Sequence, residues 1–123
     1  MREDRAQADL AAARNARAMA EREREERRAD YARYEETKED RRDRVYDAVI
    51  GYAVKIEALD RARDAVNRID EEGLLLEEDE KKAERDLETR TREASAARVR
   101  YVAAQKNKQK ILQLNKFLHC LMF

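Results

Sequence analysis

The side chains best suited to chemistry are His119 and Cys120, the single histidine and the single cysteine of the chain. A thiol and an imidazole can form a nucleophile–base pair, but adjacent residues on a helix point about 100° apart and make a poor pair of this kind. Two soft ligands are also too few for a structural zinc site, which usually takes four. We therefore expect no catalytic residue and no metal site here.

Other elements of catalytic sites are missing from the sequence as well. The two glycines, Gly51 and Gly73, are isolated and form no glycine-rich phosphate loop. Carboxylates are abundant, but a catalytic acid needs burial or a close charge, and polar helical faces offer no pocket. The sequence predicts a protein that is not an enzyme and that binds no cofactor.

The last four residues, 120–123, match the C-a-a-X pattern for lipid attachment. Phe in the final position indicates geranylgeranyl transfer to Cys120, and the upstream lysines would be a second anchoring signal. The chemistry requires an accessible cysteine as the fourth residue from a free C-terminus, so the match is void if the natural chain continues. This pattern gives one functional hypothesis, a prenylated peripheral membrane adaptor.

The composition of the chain is typical of long helices. Charged residues make up 46% of the 123 residues, and proline is absent. Ala, Glu, Arg, Lys and Leu cost little free energy in a helix, whereas Gly and Pro interrupt helices. Between residues 1 and 44 the only sizeable apolar side chains are Leu10, Met19, Tyr31 and Tyr34, too few for a core of their own. The predicted fold is all-α, with long extended helices that make coiled-coil contacts.

Two apolar stripes with 4-3 spacing indicate where those contacts lie. The first covers residues 45–69 and consists of Val45, Val49, Tyr52, Ile56, Leu59 and Val66. The second starts at Ala62 and is offset from the first by three residues, which indicates a stammer. It continues through Val66, Ile69, Gly73, Leu76, Glu80, Ala83, Leu87, Arg90, Ala94, Ala97, Tyr101, Ala104, Lys108, Ile111, Asn115, Leu118 and Met122. Because Ala, Arg, Lys and Glu replace Leu at many of these positions, we expect heterotypic packing along this stripe.

Gly73 is the best candidate for a break in the helix. Glycine tolerates the positive φ of a helix C-terminus, and the acids at residues 77–80 suit the first turns of a new helix. Against a break, no N-cap residue follows Gly73 and the 4-3 phase continues through it. A continuous or bent helix and a hairpin at Gly73 both stay open. We predict three segments: a charged helix over 1–44, the main stripe over 45–72 and the second stripe over 73–123.

Charge is unevenly distributed, although the formal net charge is zero. The last acidic residue is Glu93, and the bases that follow it are Arg98, Arg100, Lys106, Lys108, Lys110 and Lys116. On a helix, an apolar face at 3-4-3 spacing would hold Ile111, Leu114, Leu118 and Leu121, with Phe117 beside it. We expect these lysines and apolar residues to bind a partner. Packing on a neighbouring helix, an acidic lattice such as tubulin and a calmodulin-like receptor all stay open.

Targeting signals and nucleic-acid signatures are weak. The charged N-terminal residues lack the apolar region of a signal peptide, and no apolar run approaches the ~20 residues of a membrane span. A single cysteine fits a reducing compartment. The acidic majority of the chain would repel phosphate, which argues against a nucleic-acid partner.

Residues 20–44, AEREREERRADYARYEETKEDRRDR, resemble the filamentous coiled-coil proteins of axonemal doublet microtubules, including the trichohyalin–plectin-homology type. The resemblance is one of composition. It implies a long helix that runs along tubulin protofilaments or bridges them. On this basis we expect a structural coiled-coil protein of a cytoskeletal assembly, cytoplasmic and associated with the microtubules of a cilium or flagellum.

Overall fold

The computed structural model describes residues 2–49 and 56–122. Nearly all of them belong to two α-helices, α1 (Arg2–Asp47) and α2 (Ile56–Met122), and these described residues include no strand. Acidic residues lie in the first turn of each helix, Glu3 and Asp4 in α1 and Glu57 in α2, where they complement the helix dipole. The prediction of an all-α fold is confirmed.

The chain divides into two compact units, each of which contains a part of both helices. Unit 1 combines Met1–Glu21 with Asp86–Phe123, and unit 2 is Arg22–Arg85. The predicted division into segments 1–44, 45–72 and 73–123 stays a prediction.

Unit 2 is an antiparallel helical hairpin. Ion pairs connect its two helical segments, and the residue numbers fall along α2 as they rise along α1. The joined side chains are Arg24 with Glu84 (3.8 Å), Arg28 with Glu80 (3.9 Å), Arg41 with Glu72 (2.6 Å) and Arg42 with Asp70 (3.9 Å). The chain reverses between Asp47 and Ile56, and α2 continues through Gly73 without a break. The reversal is therefore not at Gly73.

The stripe predicted over residues 45–69 does not lie on one helix. Its described members are distributed over the end of α1, the turn after it and α2: Val45, Val49, Ile56, Leu59 and Val66. Tyr52 lies outside the described residues. Val66 is buried, whereas Ile56 and Leu59 are exposed. The 4-3 spacing shows which positions are apolar, but it does not show whether one helix continues between them.

The second stripe is the packing surface of α2. Its members from Ala62 to Ala104 are all buried or partly buried, in agreement with the 4-3 prediction. Beyond Ala104 every described residue of α2 is exposed.

α1 carries a matching stripe that the sequence analysis missed. Its buried or partly buried residues recur with 4-3 spacing: Ala6, Leu10, Ala13, Ala20, Arg24, Arg27, Tyr31, Tyr34, Lys38, Arg41 and Val45. One position of the pattern, Arg17, is exposed. Alanines and the aliphatic stems of Arg and Lys fill this stripe where a coiled coil more often has leucine. The first 44 residues thus bury their apolar atoms against α2, although they could not form a core alone.

Gly73 has a packing role in unit 2. The side chain of Tyr34 is only 7% exposed, and the end of its ring fills the space where a Cβ atom on residue 73 would lie. The Tyr31 ring lies beside it, with ring centroids 6.2 Å apart. The absence of a side chain at residue 73 lets α2 receive the ring, which fixes the register of the hairpin.

Gly73→Ala is expected to destabilise the protein. Alanine is better than glycine in a helix interior by about 1 kcal/mol, but displacement of the buried Tyr34 ring costs about 1.5–3 kcal/mol. The free energy of unfolding, measured by urea denaturation, should therefore fall by about 1 kcal/mol. In a Tyr34→Ala background the same substitution should stabilise the protein. Stabilisation in both backgrounds would show that residue 73 does not hold the ring.

Tyr31 generates a prediction at alkaline pH. Its pKa is raised to about 12, because its hydroxyl donates a hydrogen bond to the Glu35 carboxylate and because burial and the nearby charges of Glu35, Glu77 and Glu80 disfavour the phenolate. The unfolded chain loses the phenol proton near its ordinary value of 10.0. Between these two values the folded state binds more protons than the unfolded state, so stability falls as pH rises.

Tyr31→Phe should reduce this alkaline loss. The urea midpoint of the variant should decline less between pH about 10 and about 12 than that of the parent. Tyr46→Phe is the matched control, since it removes a tyrosine that is exposed at the end of α1. Equal slopes for the parent and Tyr31→Phe would contradict the contribution of Tyr31.

Candidate protein-docking segment

Residues 109–122 form the part of α2 with the most exposed apolar surface, and we call them the docking segment. They belong to unit 1 and continue α2 without interruption to Met122. Every residue of the segment is exposed. No Pro or Gly interrupts the sequence here, so the helix propagates from the turns before it.

An ion pair marks the point where the docking segment begins. The Lys108 ammonium lies 2.7 Å from the Glu3 carboxylate in the first turn of α1. This hydrogen bond and the negative charge of Glu3 raise the pKa of Lys108. Lys108, predicted from the sequence to bind a partner, is thus engaged within unit 1.

The docking segment exposes large apolar side chains along its whole length. Between about half and three quarters of each is accessible to solvent: Ile111 59%, Leu112 51%, Leu114 57%, Phe117 60%, Leu118 47%, Leu121 68% and Met122 77%. Monomeric proteins rarely expose contiguous apolar surface of this kind unless it binds something. All five apolar residues predicted to form the binding face of this segment are among them.

The apolar face of the docking segment is offset only partly from the stripe by which α2 packs in unit 1. At 3.5 residues per turn each residue advances by about 103°, so the stripe through Ala97 and Ala104 continues to Ile111 and Leu118. Leu114 and Leu121 lie about 50° to one side of Ile111 and Leu118 on the same count. Because Ile111 and Leu118 belong to both the stripe and this face, a partner that covers the face approaches α2 from a direction that overlaps the one from which α1 packs.

The docking segment and the turn before it carry basic residues and no acidic ones. Lys106, Lys110 and Lys116 are exposed and form no ion pair with any described residue. A shallow groove adjoins the segment in unit 1, lined by Arg2, Glu3 and Asp4 of α1 and by Ala104, Asn107, Ile111 and Leu112 of α2. An apolar face flanked by unpaired lysines is suited to an apolar groove with an acidic rim.

The residues singled out for chemistry also lie on this segment. Cys120 is a free, exposed thiol, and His119 precedes it on the same helix. Within residues 2–49 and 56–122 no group of three or more His, Cys, Asp or Glu side chains is placed to hold a metal ion. None of the described helices is long and apolar enough to cross a membrane.

The remaining predicted binding residues lie in unit 2. Val45 and Val49 are partly buried, Val66 is buried in the hairpin, and Ile56 and Leu59 are exposed. Sequence reasoning missed a second exposed apolar feature of unit 2, the adjacent pair Leu74 and Leu75. The signal was present, because three consecutive leucines at 74–76 cannot all face the same packing stripe of a helix.

Comparison with known proteins identifies a bacterial system. A protein-family model described as "Type III secretion protein YscO" matches residues 1–119. No significant match was found among curated proteins or among solved structures.

The family match contradicts the resemblance to axonemal coiled-coil proteins. Type III secretion is a bacterial process, so the predictions of a ciliary, cytoskeletal or microtubule-associated role and of that location were wrong. Tubulin is not supported as a partner, whereas binding to proteins agrees with the family. The error arose because a composition rich in Arg, Glu and Ala reflects the needs of any long solvated helix and does not identify what the helix binds.

The prenylation hypothesis is overturned by the same match. A prenylated membrane adaptor is not supported for a family of bacterial secretion proteins. The C-a-a-X pattern asks only for aliphatic residues after a cysteine, and the apolar face of the docking segment supplies them for another reason.

The exposure of the docking segment predicts that its leucines contribute little to folding. Leu114→Gln with Leu118→Gln should change the free energy of unfolding by less than about 0.5 kcal/mol. Ile69→Gln, the matched change at a buried position of unit 2, should cost about 2–4 kcal/mol. Guanidinium denaturation followed by far-UV circular dichroism measures both. A leucine variant as unstable as Ile69→Gln would show that the segment is packed in the free protein.

Proposed function

Since the chain belongs to the type III secretion YscO family, we propose that it is a non-enzymatic component of a type III secretion apparatus that docks on another protein through residues 109–122. The observation that carries this proposal is the run of seven large apolar side chains, 47–77% exposed, in a helical segment that contains no acidic residue. The family match extends to residue 119 and so includes most of the docking segment.

The mode of binding is a helix in a groove. Ile111, Leu114, Leu118 and Leu121 provide anchors at the 3-4-3 spacing that such grooves accept. Full burial of a large apolar side chain is worth about 1.5–3 kcal/mol, so even half of that for each anchor supports specific binding. Lys110 and Lys116 beside the anchors favour a groove with an acidic rim. The segment is already helical in unit 1, which lowers the conformational entropy lost on binding.

The two units would act as the support for this segment. Among the described residues half of the buried apolar side chains are alanines, while the docking segment exposes seven large apolar side chains of α2. The absence of enzymatic activity is part of the proposal. It is supported by the sequence order of His119 and Cys120, because adjacent residues on a helix point about 100° apart and make a poor nucleophile–base pair.

The proposal is tested in a bacterium that carries this protein, by replacing its chromosomal copy with the variant Leu114→Asp/Leu118→Asp. Each substitution places a charge inside the expected apolar groove, so binding should weaken by at least about tenfold. Substrate secretion into the medium and co-purification of other secretion proteins with the tagged variant should both fall strongly. Far-UV circular dichroism of the purified variant should show an unchanged helix content.

The matched control is Gln109→Asp/Gln113→Asp, which adds the same two charges to the opposite side of the docking segment. This control should secrete and co-purify with partners at close to the parental level. Normal secretion and partner capture by the leucine variant would exclude the apolar face as the docking surface.

A further inference from the structure

An exposed leucine pair on α2 of unit 2 plays no part in the packing described above. Leu74 is 67% exposed and Leu75 is 62% exposed, while the next residue, Leu76, is partly buried in the hairpin. Between residues 60 and 98 of α2 these are the two large apolar side chains that the structure leaves exposed. Single exposed leucines are ordinary, but an adjacent pair in a stretch of otherwise polar outer surface needs a reason.

Carboxylates surround this leucine pair on every side. On a helix the neighbours of a residue lie three and four positions away. For Leu74 and Leu75 these neighbours are all acidic: Asp70, Glu71, Glu72, Glu77, Glu78 and Asp79. We call the two leucines and these six acids the acid-ringed patch.

The patch retains unneutralised negative charge. Four of its acids contact bases of unit 2: Asp70 with Arg42, Glu72 with Arg41, Glu77 with Lys81 and Glu78 with Lys82. Glu71 and Asp79 are exposed and form no ion pair with any described residue. An apolar centre with a negative rim is complementary to a helix that carries leucines and lysines without acids.

The chain itself contains a helix of that description. The docking segment presents the exposed Leu114 and Phe117 together with Lys110 and Lys116, and no acidic residue follows Glu93. Charge and polarity therefore match between the acid-ringed patch of one copy and the docking segment of another. We infer that the protein self-associates by this contact, in which the segment of one copy binds the acid-ringed patch of a second copy.

This contact differs from the seam between α1 and α2, whose alanines and arginines disfavour self-association. It also has a functional consequence. Because the same segment would be used, self-association and docking on another secretion protein exclude each other. The inference does not need the proposed function, since it depends only on the exposure and charge of the two surfaces of this chain.

Sedimentation velocity of the purified full chain tests the contact. One helix against one patch buries less than the ~1,200 Å² of a stable interface, so the dissociation constant should lie in roughly the micromolar range. Leu74→Gln/Leu75→Gln should weaken self-association by at least about tenfold. The control Val99→Gln removes an equally exposed apolar side chain of α2, 69% accessible, and should leave it unchanged.

A charge exchange identifies the two surfaces. Glu71→Lys/Asp79→Lys and Lys110→Glu/Lys116→Glu should each self-associate at least about tenfold more weakly than the parent. Mixed in equal amounts, the two variants should associate again, because each supplies the charge that its partner has lost. A monomer at every concentration up to about 500 µM would overturn the inference. The inference would also be overturned if Leu74→Gln/Leu75→Gln left self-association unchanged. It would be overturned as well if the mixture associated no more strongly than each variant alone.

The same variants separate this inference from the proposed function. Leu74→Gln/Leu75→Gln leaves the docking segment intact and removes its competitor, so secretion by this variant should stay at or above the parental level. If the protein does not self-associate but Leu114→Asp/Leu118→Asp still reduces secretion, only the inference of self-association is overturned.

Discussion

Alanine supplies half of the buried apolar side chains that the structure describes in the seam between α1 and α2, and this constraint governs the rest of the molecule. Among the described residues the buried apolar side chains are Leu10, Ala20, Tyr34, Ala62, Val66, Ile69, Ala83 and Ala97. An alanine buries far less apolar area than a leucine, so each turn of such a seam contributes little free energy. Small residues also let two helices approach closely, and stability must then come from many turns in succession. Long, uninterrupted helices are the physical consequence.

A seam of small residues specifies its own register poorly, and two features of unit 2 supply the missing specificity. One is Tyr34, whose ring fits the gap left by Gly73 and fits no position with a side chain. The other is the set of ion pairs from arginines of α1 to acids of α2. An exposed ion pair stabilises a protein by only about 0.2–1 kcal/mol, but several in one register oppose a shift that would bring like charges together. The arginines therefore contribute more to the choice of the antiparallel register than to the free energy of folding.

Sequence reasoning succeeded where the physical signal is local. The helical composition and the 4-3 stripe of α2 are properties of one chain segment, and both appear in the structure. It failed where the signal depends on the partner helix. The α1 stripe was overlooked because residues such as Ala20 and Arg24 can be recognised as seam positions only from the structure, in which α2 covers them. Gly73 was considered as a helix break because the sequence alone does not show that the Tyr34 ring packs against it. The end of α1 at Asp47 was not predicted, because Val45 and Val49 on either side of it keep the 4-3 spacing.

The proposed docking function rests on the contrast between the seam and the docking segment. The seam of α2 holds Ala83, Ala94 and Ala97 alongside larger residues such as Ile69 and Leu87, all of them buried or partly buried. The docking segment instead exposes Ile111, Leu114, Phe117 and Leu118. An isolated helix of fourteen residues would be marginal in water, but this one propagates from turns that the seam has already ordered. In the proposed function, the seam thus presents this preformed helix and its exposed apolar surface to another protein.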